Sequence, residues 1–324
     1  MTAPDRRSAA VSSDRTIEDA SREALHSSGS AVTAVLAGFF SACAEYPGVL
    51  LGPLSILLAG IGSGVRTFDG RLRQPGIGIK RPRGYLPDRE IPMSARIATP
   101  TAVVAAVVAN TYDGRPSLGP ALRDAVSLAS ERGATVRSRL LASIEAMGPR
   151  ATAEAMFAGP LLAIAGPSEG GLLTARDLSA IPKQVDLPAS IHPEDPNWRR
   201  APWADQPPSE PVEERGATEV VCAVDARGVF AAAVFEIPVG GVAIEDLQLT
   251  APAAAVPVRR SVRRVEPGQP LFSPCPVAVR LEAGSPVEIV ACPEVTHPTL
   301  DDLKRPSLSL RQDPQSRRVT ISRR

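Results

Sequence analysis

The side chains best suited to hold a metal ion or to act as soft nucleophiles are few and widely spaced. They are four cysteines and three histidines, namely Cys43, Cys222, Cys275, Cys292, His26, His192 and His297. They form no CxxC, HxxxH or HExxH pattern, whereas zinc sites usually draw their ligands from such close pairs. The sequence therefore predicts no metal site, no cofactor and reduced thiols. Cys222 lies in an alternating pattern that places it in a core as a small apolar side chain.

Charge and aromatic content give no sign of a nucleic-acid or membrane partner. Lys and Arg total 36 against 35 Asp and Glu, a net charge of +1, and aromatic residues make up only 4%. Because the basic run Arg259–Arg264 has no interleaved aromatics, it is interpreted as a solvated loop. The apolar stretches 31–43 and 48–62 are each too short to span a bilayer, and no apolar segment follows Arg6 and Arg7 as in a signal peptide. A cytoplasmic location is the expectation.

Helical periodicity dominates the first half of the chain. Thr16-Ile-Glu-Asp19 has the form of a capping box with Thr16 at the N-cap, and Thr174-Ala-Arg-Asp177 has the same form. Apolar residues at helical spacing predict further helices over residues 31–43, 101–112, 118–132, 136–147 and 151–165. The stretch 31–43 is apolar on nearly all sides, which is typical of a buried helix.

The pattern changes after a proline-rich segment. Eight prolines between residues 181 and 216 predict a linker with neither helix nor central strand. Alternation then predicts two hairpins, 219–225 with 229–236 and 277–281 with 287–291. The predicted regions are a disordered N-terminus (1–15), a helical half (16–180), the linker (181–217), a β half (218–292) and a loose basic tail (293–324). Helices first and antiparallel strands last predict an α+β fold.

Several motifs stand in the order found in one enzyme family. The segments are Ser28-Gly-Ser-Ala-Val-Thr-Ala34, Thr99-Pro-Thr-Ala-Val-Val-Ala-Ala106, Tyr112-Asp-Gly114, Gly170-Gly-Leu-Leu-Thr-Ala-Arg-Asp-Leu178 and Thr218-Glu-Val-Val-Cys-Ala-Val-Asp225. They resemble, in turn, GGNAxDA, TPGxxxG, YG, GGLxTxxDL and, more loosely, TTHxSVxDxxGN. On these motifs the chain resembles the gamma-glutamyltransferase (gamma-glutamyltranspeptidase) family of N-terminal-nucleophile hydrolases.

The resemblance implies an αββα sandwich, shortened relative to the family, and chemistry at the bond between Ala217 and Thr218. In the family, the first threonine of the TTHxSVxD strand becomes the N-terminal nucleophile when the chain cleaves itself. Thr218 would then carry a free α-amine, whose ordinary pKa of about 8 suits a general base at neutral pH. Its hydroxyl would attack a γ-glutamyl amide and form an ester that water or an amino acid resolves.

The resemblance also implies substrate-binding residues. Arg71 occupies the position of the family's arginine for the substrate α-carboxylate, a role that suits a guanidinium fork. Ser273 falls in Pro267–Pro276, the counterpart of PGKRPLSSMSP, and Asp246 is a shifted counterpart of the acidic pair that holds the substrate amine. The simpler interpretations are a strand-initiating threonine at position 218 and a solvated arginine at position 71.

Changes at several family positions leave more than one function open. Glu219 replaces a threonine, Leu72 replaces a glutamate, and Ala291-Cys-Pro-Glu-Val295 stands where a glycine pair donates to the oxyanion. Proline has no N–H to donate, and losing one such donor typically costs about a hundred- to a thousandfold in rate. The chain is either a self-cleaved transferase or hydrolase acting on a small γ-glutamyl compound, or a catalytically silent binding or scaffold subunit. The second reading expects a homo-oligomer or a fuller paralogue as partner, and an unrelated α+β domain with a basic tail is a third alternative.

Overall fold

A computed structural model describes residues 7–62, 64–80, 84–86, 90–207, 216–260 and 264–324. In this part of the chain, two antiparallel six-stranded sheets, a short hairpin and a helical layer make up the fold. The helices are α1 (Arg15–Ser28), α2 (Ala31–Glu45), α3 (Ala102–Tyr112), α4 (Gly119–Glu131), α5 (Thr135–Met147), α6 (Ala155–Ala165), α7 (Ala175–Ser179) and α8 (Leu300–Lys304). The strands are β1 (Ala9–Ser12), β2 (Leu54–Ala59), β3 (Val65–Gly70), β4 (Asp186–Pro188), β5 (Ser190–His192), β6 (Asp195–Arg200), β7 (Ala217–Val224), β8 (Phe230–Ile237), β9 (Val242–Ile244), β10 (Leu249–Ala251), β11 (Val277–Glu282), β12 (Ser285–Ala291), β13 (Leu308–Gln312) and β14 (Val319–Arg323).

The two large sheets face each other across a shared apolar core. The first sheet has the order β1-β7-β8-β2-β3-β4 and the second the order β14-β13-β12-β11-β6-β5. Alternate residues of β7, such as Cys222, pack with Val279, Ile289 and Leu310 of the second sheet in one buried cluster, here called the inter-sheet core. The expectation of Cys222 as a core residue is confirmed. Both predicted hairpins are also present, as β7 with β8 and β11 with β12.

The opposite face of the first sheet carries most of the helices. Helix α2 is buried on all sides between α1, α4 and the sheet, as its uniform apolar sequence predicts. Gly38 is the point of closest approach, because a Cβ there would lie 2.4 Å from Ser21 Oγ and 3.0 Å from a Val221 methyl group. On the outer face of the second sheet, Leu300 and Leu303 of α8 pack against Trp198 and other buried residues. Among the described residues, no helix has the length and apolar character needed to cross a membrane.

Helix termini follow the predicted capping with one correction. The carboxylate of Asp14 is the N-cap of α1 and accepts from the Ile17 N–H at 3.0 Å, so the assignment of this role to Thr16 is wrong. Asp14 and Thr16 both have a side-chain oxygen that could cap a helix. Because α1 begins at Arg15, Asp14 is the residue that precedes its first turn and takes this role. The capping box of Thr174 and Asp177 is confirmed at the start of α7.

The order of helices first and strands last needs correction. Strands β1, β2 and β3 all precede Arg71, and β2 and β3 lie in the first sheet beside β8 from the second half of the chain. The sequence of β2, Leu54–Ala59, is apolar at nearly every position because both faces are covered. A strand buried on both faces shows no alternation, which removes the signal that distinguishes it from a helix or a loop.

The N-terminus and the proline-rich linker, both expected to be irregular, contribute strands. Residues 9–12 of the supposed disordered N-terminus form β1 on the edge of the first sheet, while residues 1–6 lie outside the described part of the chain. The linker forms β4, β5 and β6, and its residues 208–215 also lie outside the described part. Prolines are compatible with these strands because Pro188 is in the edge strand β4 and Pro196 is at an irregularity in the pairing of β5 with β6.

The basic tail is also structured. Strands β13 and β14 extend the second sheet beyond β12, and Leu308 and Leu310 fill the inter-sheet core. Arg323, next to the last residue, pairs with the buried carboxylate of Glu18 in α1. The expectation of a loose tail is therefore wrong, because apolar residues at alternate positions outweigh the charged residues between them.

Candidate active site at one end of the first sheet

Thr218 is the second residue of β7, and its side chain lies on the inter-sheet side of the strand. Val220, Cys222 and Val224 all belong to the inter-sheet core, and alternation places Thr218 on the same face. Thr218 is half-buried and pairs with Glu236 of β8, while Ala217 pairs with Ile237. The bond between Ala217 and Thr218 thus lies where β7 begins, at one end of the first sheet.

Glu219, which replaces a family threonine, has a structural role. Its buried carboxylate accepts from Ser12 Oγ at 2.6 Å and from the Ser13 N–H at 3.2 Å. These bonds fix the end of β1 to the beginning of β7, directly beside Thr218.

Arg71 lies at the same end of the first sheet as Thr218, three strands away. The pairing puts Glu219, Phe235, Leu54 and Gly70 in one row across β7, β8, β2 and β3, so Thr218 and Arg71 each lie one residue outside that row. Three inter-strand spacings separate them, about 14 Å. The two residues share an end of the sheet without touching in this arrangement.

The Arg71 guanidinium is buried in an ion pair, so the interpretation as a solvated arginine is wrong. Its Nε and Nη2 donate to the two carboxylate oxygens of Asp69 at 3.0 and 3.1 Å, and Nη1 donates to Gln206 Oε1 at 3.0 Å. The Trp203 ring covers it at 4.2 Å from guanidinium carbon to ring centroid. All three nitrogens therefore already have protein acceptors, and only 4% of the residue is exposed.

A second arginine completes this cluster. Arg73 Nη2 donates to Asp69 Oδ2 at 2.9 Å, and burial lowers the pKa of Arg73 from its ordinary value, with Asp69 opposing the shift. Two guanidinium groups thus share one carboxylate, which leaves an excess positive charge. Arg73 Nε and Trp203 Nε1 are buried and have no hydrogen-bond partner in the described ranges of the chain. Buried unsatisfied donors of this kind favour a ligand that brings an acceptor.

The structure brings Ser273 toward this cluster and leaves Asp246 elsewhere. The segment carrying Ser273 runs beside Arg73, which pairs with Pro270, and Ser273 is buried with its hydroxyl donating to the Pro274 carbonyl at 3.4 Å. Asp246 is exposed in the turn between β9 and β10, a hairpin that packs in the helical layer. The predicted substrate-binding residues therefore do not assemble around Thr218.

The two residues directly after β12, Cys292 and Pro293, offer no free N–H donor. The Cys292 N–H donates to the Pro276 carbonyl at 2.9 Å, and Pro293 has no N–H. This agrees with the sequence expectation at the position of the family's glycine pair.

Sequence reasoning missed Asp69, Arg73, Trp203 and Gln206 as members of the cluster. Asp69 and Arg71 stand two apart, as residues on one face of a strand do, and this spacing was the available signal. Trp203 and Gln206 lie in the proline-rich segment, where no periodicity points to a core. Of the basic run 259–264, residues 261–263 lie outside the described part of the chain.

The four cysteines lead to a prediction about thiol reactivity. All are free and buried, and burial raises the pKa of Cys222 and of Cys275 to about 12 and that of Cys292 to about 11. Burial also raises the pKa of Cys43. Because only the thiolate reacts, we expect an aromatic disulfide reagent at pH 8 to label the native protein slowly and all four thiols rapidly after denaturation. A thiol that reacts in the native state as fast as free cysteine would contradict this.

No protein-family model and no curated protein matches the chain, but solved structures share its fold. LmbA2991T421A has a TM-score of 0.64 at 15% identity, with 89% of this chain and 79% of that chain covered. LmbA2991HD has a TM-score of 0.57 at 15% identity, with 87% and 77% covered. The cephalosporin acylase from Bacillus halodurans has a TM-score of 0.59 at 12% identity, with 89% and 78% covered. At such identities the likeness concerns the fold alone: this chain is a mixed α+β protein with antiparallel sheets, similar in fold to these three structures.

Proposed function

We propose that the chain is an amide hydrolase or acyl transferase of the N-terminal-nucleophile type, with Thr218 as its nucleophile. The observation that carries the proposal is the position of Thr218, at the beginning of a strand and on the face between two sheets. The fold shared with an acylase supports it. The proposal includes an αββα sandwich, in which the helical layer on the first sheet, the two facing sheets and α8 on the second sheet are the successive layers.

The proposed activation is a self-cleavage between Ala217 and Thr218. Thr218 Oγ attacks the Ala217 carbonyl carbon, the peptide C–N bond breaks, and the nitrogen takes the hydroxyl proton. Water then hydrolyses the resulting ester, which releases Ala217 as a carboxylate and Thr218 with a free hydroxyl and α-amine. Water is the only co-reactant that these two steps need.

In turnover, the α-amine of Thr218 takes the hydroxyl proton while Oγ attacks the substrate amide carbonyl. The proton passes to the leaving amine, and water or an acceptor amine resolves the acyl ester. Glu236 pairs with Thr218 across the ladder and, by alternation, faces the same side. A carboxylate at that position would stabilise the ammonium group that forms when the α-amine takes the hydroxyl proton.

The proposed substrate is a small amide whose acyl group carries a carboxylate, of which the γ-glutamyl group is the example that the family resemblance suggests. The excess positive charge of the cluster of Asp69, Arg71 and Arg73 supports an anionic group. The unpartnered donors Arg73 Nε and Trp203 Nε1 support it further. Arg71 itself would have to exchange Gln206 for the substrate, because its other donors hold Asp69.

A catalytically silent protein is the second candidate, and one observation favours it. The Arg71 donors are all committed within the chain, and directly after β12 the Cys292 N–H is already bonded and Pro293 has no N–H. In that case the chain would act as a binding or scaffold subunit, as a homo-oligomer or beside a fuller paralogue.

Intact mass of the purified chain, followed over a long incubation, tests the proposal. Self-cleavage would give two species, residues 1–217 and residues 218–324, the second beginning with Thr218. A glutaryl anilide, which keeps a terminal carboxylate but has no amine, and a matched butyryl anilide, which lacks that carboxylate, would then separate carboxylate-dependent from general amide hydrolysis. A chain that remains in one piece would refute the nucleophile role and leave the silent candidate.

A further inference from the structure

A cavity of about 380 Å³ opens on the helical side of the protein, away from the inter-sheet face that carries Thr218. It lies between the turn joining α4 to α5 and the hairpin of β9 and β10. Its walls include the apolar side chains of Pro47, Ile244 and Leu249. Volumes of this order suit a small molecule with an aliphatic portion.

Arg137 of α5 lines this cavity, and two of its buried nitrogens have no hydrogen-bond partner among the described residues. Only 6% of the residue is exposed, and both Nε and Nη1 lack an acceptor. A buried cation without acceptors costs free energy unless a partner supplies them. Burial lowers the pKa of Arg137 from its ordinary value, and the nearby Glu45 opposes the shift. Glu45, however, pairs with Arg132 Nε at 3.0 Å, and within the described part of the chain Arg137 has no ion-pair partner of its own.

The opposite wall of the cavity carries a carboxylate. Glu245 is exposed there. Of the two cations in the lining, Arg132 is paired with Glu45, which lies outside the lining, so Arg137 and Glu245 are the remaining charges of opposite sign that border the cavity. A balanced set of charges of both signs favours a ligand that itself carries both signs, because a simple anion or cation would meet repulsion on one wall.

The hairpin that forms this wall is held in an uncommon backbone conformation. Gln248 has a φ of 52°, a left-handed conformation that is unusual for a residue other than glycine. Its Oε1 accepts from the Val136 N–H at the start of α5 at 2.9 Å. This bond connects the hairpin that carries Glu245 to the helix that carries Arg137, and so constrains the distance between these two charged residues. Strained residues that are held in this way are frequent at binding sites.

We propose that this cavity binds a small aliphatic zwitterion of α-amino-acid size, with Arg137 pairing with its carboxylate and Glu245 with its ammonium group. The apolar walls would take the aliphatic side chain. The site is independent of the proposed chemistry at Thr218, because its residues pack with the helical layer and Thr218 lies on the other face of the first sheet.

Calorimetric titration of the full chain with three matched probes tests this inference. The probes are L-leucine, 4-methylpentanoate, which lacks the amine, and 3-methylbutylamine, which lacks the carboxylate. We expect L-leucine to bind most tightly. Arg137→Met should weaken L-leucine and 4-methylpentanoate at least tenfold, whereas Glu245→Gln should weaken L-leucine and leave 4-methylpentanoate no weaker.

The controls separate binding from folding. Arg137→Met replaces a buried unpartnered cation with an apolar side chain of similar length, so we expect its melting temperature to be no lower than that of the wild type. Arg139→Met, an exposed position on the same helix outside the cavity lining, should bind L-leucine as the wild type does. Failure of L-leucine to bind the wild-type protein at millimolar concentration would overturn the inference, as would equal binding by folded Arg137→Met. Neither result would bear on cleavage at Thr218.

Discussion

Thr218→Ala is expected to remain a single chain of 324 residues under conditions in which the wild-type protein separates into residues 1–217 and 218–324. Alanine has no hydroxyl to attack the Ala217 carbonyl, so the cleavage rate should fall below detection. Thr218→Ser retains a hydroxyl and Thr218→Cys a thiol, and both should still be cleaved. Intact mass over several days measures all three variants beside the wild type.

A threonine of the same sheet provides the matched control. Thr67 of β3 is buried, lies on the same face of the first sheet, and its hydroxyl donates to the Leu187 carbonyl at 3.1 Å. Thr67→Ala removes a strand hydroxyl without touching the bond at Ala217, so its cleavage should match that of the wild type. Cleavage of Thr218→Ala at the same bond would show that another group is the nucleophile.

Asp69→Asn is expected to destabilise the protein by about 3–5 kcal/mol, because it leaves two buried guanidinium groups without their shared carboxylate. Asp69 accepts from Arg71 and Arg73 within 3.1 Å, and all three residues are more than nine-tenths buried. Asparagine has nearly the same shape, so the loss concerns charge and hydrogen bonding and leaves packing almost unchanged. The midpoint of urea unfolding, at an unchanged slope, measures the effect.

Two further variants check the origin of this loss. Asp186→Asn removes the carboxylate of the Arg66–Asp186 pair, whose side chains are 28% and 32% exposed, and should cost at most about 1 kcal/mol. Adding Arg73→Met to Asp69→Asn removes one of the uncompensated cations and should recover part of the stability. An Asp69→Asn protein within about 1 kcal/mol of the wild type would contradict the assignment of the cluster as a buried ion network.

The sequence alone determined the local elements of this protein. Five helices were expected from periodicity and are present, and the Thr174 capping box, both long hairpins and the buried Cys222 agree with the structure. These features depend on residues within a few positions of one another, so a single stretch of sequence carries the whole signal.

Only the tertiary structure decided which segments complete the sheets and which side chains meet at the candidate site. Strands β1, β13 and β14 are short or rich in charge, and they form because another strand already offers its edge. Arg71 donates a hydrogen bond to Gln206, which is 135 residues away in the sequence. Gln206 lies in a proline-rich stretch that has no periodic pattern. Asp246, an acidic residue of the expected type, lies with the helical layer instead. Periodicity is a local property of the chain, whereas the choice of partner depends on how the sheets and helices pack.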